Sequence, residues 1–134
     1  AAALVLSANT DGALAKIVGY ASHAQSPETF TTAPIGAIEK LCASLNWPIN
    51  SVDAFEINEA FAVVPMAAIK TLNIPHEKVN IYGGACALGH PIGASGAVIA
   101  TKALHELHRV NGRYALVTMC IGGGQGIAAI FERM

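Results

Sequence analysis

Apolar and polar residues recur with readable periods along most of the chain. The runs ALVLS (3–7) and AKIVGYAS (15–22) read as adjacent strands joined through the Asp-Gly turn of ANTDGAL. HAQSPETFTTAP (23–34), with its Pro and Ser/Thr punctuation, reads as a polar loop. From Pro34 onward, Ile35, Ile38, Leu41, Cys42 and Leu45 follow helical spacing, with Thr31 or Thr32 available as the cap. SVDAFEI (51–57) returns to strand character. NEAFAVVPMAAIKTL (58–72) is apolar on nearly every side, which predicts a buried helix bent at Pro65. KVNIY (78–82) is a short strand, and a glycine-rich segment then feeds a helix from Pro91 or Ser95 to Val110. Lys102, Glu106 and Arg109 mark the exposed face of that helix. RYALVTMC (113–120) is a strand, IGGGQG a turn, and IAAIFE (127–132) the returning strand of a hairpin.

The order β-β-α-β-α-β-α-β-β predicts an α/β fold: a layered, mixed five-stranded sheet with helices on both faces. At 134 residues it forms one domain with a real core.

Composition sharpens this picture. The chain is 53% hydrophobic and 13% charged, against a typical charged share of about a quarter. So apolar a surface predicts cover from another domain or subunit. No window approaches the roughly 18 consecutive apolar residues of a membrane span. A net charge of −1 without basic runs argues against nucleic acid or anionic lipid as a partner. The opening AAALVLSANTDG lacks both an initiator Met and the basic region of a signal peptide, and reads as part of a longer chain. Cys42, Cys86 and Cys120 lie far apart with no C-x-x-C pair, so reduced thiols are expected. Cys42 reads as a small buried hydrophobe.

Chemistry-bearing residues follow predicted strands. Asn58 and Glu59 sit at a strand-to-helix junction. His90 lies in the glycine segment YGGACALGHPIGASGA (82–97), Cys120 ends a strand, and GGG (122–124) follows it. Ligands of layered α/β sheets collect outside the carboxyl ends of strands, so these positions can converge on one rim. Gly84 and Gly89 have P-loop spacing, but His90 and Pro91 stand where Lys and Ser/Thr are needed. GGGQGI fails as a dinucleotide fingerprint because Ile127 occupies the third glycine position. Cys86, His90 and Cys120 fit no zinc-ligand spacing, so no metal is expected, and His105 and His108 read as solvent-facing.

NEAF, GGACALGHPIGASGA and CIGGG resemble, in order, the three C-terminal signatures of the thiolases, enzymes that make and break β-ketoacyl-CoA thioesters. The resemblance spans Val52 to Phe131. It implies the second half of a five-layered condensing-enzyme fold, residues 1–134 being the C-terminal domain. The acyl-carrying cysteine then lies in an N-terminal half, and neither Cys42 nor Cys86 takes that role. By the same resemblance His90 helps generate the nucleophilic thiolate and donates to a thioester oxygen as enolate charge develops. Cys120 is the general acid/base for the α-proton, its thiol needing only modest tuning from about 8.5. Asn58 holds a water beside His90, in competition with capping a helix that starts at Glu59. Glu59 stabilises that helix end or orients loops. The backbone N–H of Gly122 serves a second oxyanion hole, where a Cβ would obstruct substrate, and Ala60 and Phe61 line the acyl or pantetheine channel. Tyr82 and Val98 depart from the family pattern, many relatives having a polar residue and an Arg there.

The implied activity is the reversible condensation of two acetyl-CoA to acetoacetyl-CoA and CoA, with CoA thioesters as substrates and no resident cofactor. A longer-chain 3-ketoacyl-CoA thiolase of fatty-acid β-oxidation is the alternative. A non-catalytic thiolase-like CoA- or lipid-binding domain should have lost His90 or Cys120, and both are present. The implied partners are the N-terminal thiolase domain and further copies, as a homodimer or homotetramer. The implied location is cytoplasmic, or mitochondrial in a eukaryote.

Overall fold

A computed structural model describes residues 1–134. Strand β1 spans Ala15–Ala24, helix α1 Ala33–Leu45, β2 Ala54–Ile57 and α2 Val63–Leu72. A single turn, α3, spans Ala85–Leu88, and α4 (Ser95–Val110), β3 (Tyr114–Ile121) and β4 (Gln125–Arg133) complete the chain. The sheet order is β1-β4-β3-β2, antiparallel except for the parallel β2–β3 pair. Helices cover both faces, as the pattern predicts. Ile38 and Leu41 of α1 and Val64 and Ala68 of α2 pack with Leu116, Cys120 and Ile130 on one face. Ile99, Ala103 and Leu107 of α4 pack with Ala54, Ala115 and Val117 on the other.

The sheet has four strands rather than five. ALVLS forms no strand: Leu4, Val5 and Leu6 are exposed and unpaired, and the outer edge of β1 stays open. KVNIY contributes only an isolated parallel bridge from Val79 to Phe55. Asn80 adopts a left-handed conformation (φ 48°) that turns the chain away, and its side chain replaces the missing ladder. Its Oδ1 accepts from the Ile57 N–H at 2.8 Å, and its Nδ2 donates to the Ile57 carbonyl at 2.8 Å. The edge of β2 is thus satisfied by one amide in place of a neighbouring strand.

Helix boundaries have local causes. Asn46, Asn73 and Asn111, each with φ of 52–53°, close α1, α2 and α4 in the left-handed conformation that Asn tolerates. Thr31 does not cap α1, and neither does Thr32, whose hydroxyl donates to the Thr29 carbonyl instead. The second helix begins at Val63, not at Glu59, so Pro65 falls in its first turn. A first-turn proline sacrifices no intrahelical bond, and the predicted bend has no cause.

Of the three residues assigned to the exposed face of α4, only Arg109 is exposed. Glu106 is 2% exposed, pinned by Arg109 Nε and the terminal guanidinium at 2.9 and 2.7 Å. Lys102 turns inward to Glu56. His105 and His108 are exposed, as predicted.

Candidate active site

Parallel pairing of β2 with β3 sets the frame. Ile57 pairs with Thr118, and the Asn58 N–H continues the register by donating to the Thr118 carbonyl at 2.9 Å. Asn58 and Cys120 therefore leave the carboxyl ends of adjacent parallel strands, the place where open α/β sheets bind ligands. Because the next helix starts only at Val63, Asn58 is released from capping. Its side chain is buried, with Nδ2 3.5 Å from His90 Nε2.

His90 reaches this point through the glycine segment. Gly89, immediately before it, has φ of 91° and requires glycine. Gly84 is required for a different reason: a Cβ there would overlap the Glu59 carboxylate. Glu59 is the orienter of loops. Its Oε1 accepts from Asn80 Nδ2 and its Oε2 from the Cys86 N–H, both at 3.0 Å. Burial pushes its carboxyl up, but these hydrogen bonds and the Lys102 charge outweigh that and hold it below the ordinary value.

The hydrogen bonds around the ring accommodate an imidazole protonated on Nδ1. Ser95, buried at the start of α4, donates its hydroxyl to the Pro91 carbonyl at 3.1 Å. Its oxygen is left to accept from His90 Nδ1–H, 2.6 Å away. Nε2 then keeps its lone pair and turns it toward Asn58. At 3.5 Å that contact is loose, so the lone pair is free for a stronger partner.

Cys120 reaches the same strand ends from the other side. Its side chain belongs to the cluster facing α1 and α2, with half-buried Ala60 packed against that cluster. It makes no hydrogen bond to Asn58 or His90, which approach from the α4 side. The site thus joins Asn58, His90 and Ser95 directly, and sets the thiol near the adjacent strand end without a hydrogen bond to the ring. Burial pushes the Cys120 thiol up, against a smaller lowering by a backbone hydrogen bond. The thiol is therefore protonated at neutral pH, and its conjugate thiolate is a stronger base than that of an ordinary cysteine.

Gly122 is exposed, and a Cβ there would meet nothing within the chain. The glycines demanded by the turn itself are Gly123 and Gly124, with φ of 82° and 86°. Phe61 is 56% exposed and stands edge-on to Phe30, ring centroids 5.9 Å apart. No three His, Cys, Asp or Glu side chains gather as a metal-ligating group. No helix is long and apolar enough to cross a membrane. Sequence reasoning missed Ser95, Asn80 and the Glu56–Lys102 pair. A serine five residues past the histidine was the one local signal for any of them.

Comparison with known proteins agrees with this architecture. The family model for the thiolase C-terminal domain matches residues 12–133. The chain is 50% identical to beta-ketothiolase BktB of Cupriavidus necator, covering 90% of this chain and 31% of that protein. It is 45% identical to the cytosolic acetyl-CoA acetyltransferase of Rattus norvegicus, covering 99% of this chain and 35% of that protein. Among solved structures, the Bacillus anthracis acetyl-CoA acetyltransferase superposes with a TM-score of 0.88 at 40% identity, covering 90% of this chain and 31% of that one. Human mitochondrial 3-ketoacyl-CoA thiolase superposes at 0.87 and 41% identity, with the same coverage. The chain thus spans about a third of the length of the relatives it matches. It belongs to the thiolase family, and residues 12–133 correspond to that family's C-terminal domain.

Proposed function

We propose that this chain supplies the His/Cys/Asn/Gly part of the active site of an acetyl-CoA C-acetyltransferase, which converts two acetyl-CoA into acetoacetyl-CoA and CoA, and the reverse. The observation that carries the reading is the chain of contacts Asn58–His90–Ser95 at the carboxyl ends of β2 and β3, with Cys120 one residue before the end of β3.

In the condensing direction an acetyl group is carried as a thioester on a cysteine of the N-terminal half. A second acetyl-CoA places its thioester oxygen near a water held by Asn58 and near His90 Nε2, which donates the proton it took from the nucleophilic cysteine. The thiolate form of Cys120, a minor population at neutral pH but a strong base because of its raised pKa, removes the α-proton, and charge moves onto that oxygen. The resulting carbanion attacks the acyl-cysteine carbonyl, and the new C–C bond replaces the C–S bond to the enzyme. The backbone N–H of Gly122 stabilises the tetrahedral oxyanion, a contribution of roughly 3–4 kcal/mol for one such donor. The raised thiol pKa suits the reverse direction, in which Cys120–H protonates the departing carbanion. Ala60 and Phe61 line the approach of the acyl or pantetheine chain.

Phe61, Val63, Met66, Leu88 and Ile92 each expose an apolar side chain, area that the N-terminal half, and a second subunit of a homodimer or homotetramer, would cover. A cytoplasmic location accords with the cytosolic rat relative. Thiolysis of acetoacetyl-CoA by CoA tests the reading. The complete enzyme turns over and the 134-residue chain alone does not, since it lacks the nucleophile. Comparable turnover by the isolated chain, or preference for longer 3-ketoacyl-CoA by the complete enzyme, would overturn the corresponding part.

A further inference from the structure

The histidine-bearing segment is held by α4 at both ends. At its far end Ser95 fixes the His90 ring. At its near end Lys102, two turns further along α4, reaches back across the sheet. Its Nζ donates to the Gly83 carbonyl at 2.6 Å and to Glu56 Oε2 at 2.8 Å. Glu56 is 3% exposed and stands two residues before Asn58 on β2. Gly83 opens the segment, with its own N–H held by the Asn80 carbonyl at 2.8 Å. One ammonium thus ties the strand leading to Asn58 to the loop carrying His90, with no hydrogen bond to either residue.

A cavity of about 20 Å³ lies against this tie, lined by Glu56, Asn58, Gly84, Ser95, Val98 and Lys102. It admits one water-sized group, so little solvent is available to replace the ammonium. Removing Lys102 leaves a carboxylate uncompensated and the Gly83 carbonyl unheld.

We propose that Lys102, braced by Glu56, is a positioning residue of the thiolase site, setting the separation of His90 from Asn58 by anchoring Gly83. The inference rests on the functional reading above, and it accounts for a lysine turned inward on a helix face that otherwise reads as solvent-facing. An ångström of slack between these two groups lowers turnover by as much as about a hundredfold, while substrate binding, made elsewhere, changes little.

The test uses the complete thiolase that carries this domain, with Lys102→Met, Lys102→Arg and the double variant Glu56→Gln/Lys102→Met. In Lys102→Met, kcat for thiolysis of acetoacetyl-CoA falls roughly tenfold to a hundredfold with KM for CoA nearly unchanged. Lys102→Arg, which can still donate to both oxygens, recovers most of the rate. The double variant, free of the uncompensated carboxylate, recovers thermal stability but not kcat, because Gly83 remains unheld. The imidazole NMR signals of His90 broaden or double in Lys102→Met and in the double variant. Unchanged kcat in Lys102→Met, or kcat recovering together with stability in the double variant, overturns the proposal. If the wild type shows no thiolysis, the functional reading fails, and the His90 signals alone decide the anchoring: a single sharp set in Lys102→Met refutes it.

Discussion

Replacing Ser95 by alanine removes the acceptor that holds His90 Nδ1–H at 2.6 Å and leaves the rest of the ring's surroundings in place. An orphaned buried donor costs about 1–3 kcal/mol. His90 is half-buried, so water replaces part of the lost bond and about 1–2 kcal/mol of that range applies. At 1.36 kcal/mol per factor of ten, the ring that keeps its proton on Nδ1 becomes disfavoured by roughly fivefold to thirtyfold. With the proton on Nε2, the ring faces Asn58 Nδ2 donor to donor and loses its basic lone pair. The assay is kcat/KM for thiolysis in the complete enzyme, with nitrogen-15 shifts of the His90 ring recorded in parallel. The expected result is a loss of fivefold to thirtyfold, with melting temperature little altered and a shift of the ring proton toward Nε2. A wild-type ring already protonated on Nε2, or a Ser95→Ala enzyme with undiminished kcat/KM, would refute the reasoning.

Two further outcomes follow from Glu59. Gly84→Ala drives a methyl into the Glu59 carboxylate and breaks its bonds to Asn80 and Cys86, costing about 2–4 kcal/mol. A lowered denaturation midpoint reports it, and Gly93→Ala, whose methyl would meet nothing, serves as the neutral control. The Glu59 carboxyl has a folded pKa below its ordinary value of 4.5. Its stabilisation is therefore present above that value and lost as the pH falls through the folded pKa. Melting temperature measured against pH shows a shallower acid-side decline in Glu59→Gln, and identical slopes would contradict the assignment.

The motif residues were legible because their chemistry is local. An Asn ending a strand, a His between glycines and a Cys before a glycine turn are each read within a few neighbours. What the sequence hid was long-range. Asn80 replaces a strand by bonding Ile57, 23 positions away, and that one amide turns KVNIY from strand to turn. Lys102 meets Glu56 across 46 positions. Periodicity assigns charged residues to the solvent face and does not register an ion pair that draws two of them inward. The start of α2 was missed for a related reason: the apolar run continues through Ala60 and Phe61, and composition alone does not distinguish a packed loop from a first helical turn. ALVLS has the pattern of a strand but leaves the open edge of β1 unpaired.

The assignment of Cys120 separates the two halves of the reaction. Cys120→Ser in the complete enzyme is to be measured for acetyl-enzyme formation from acetyl-CoA, and for deuterium uptake from solvent into the acetyl methyl group. Acetylation close to the wild-type rate with methyl exchange abolished is the predicted result. Equal damage to both steps would contradict the assignment of this thiol to proton transfer.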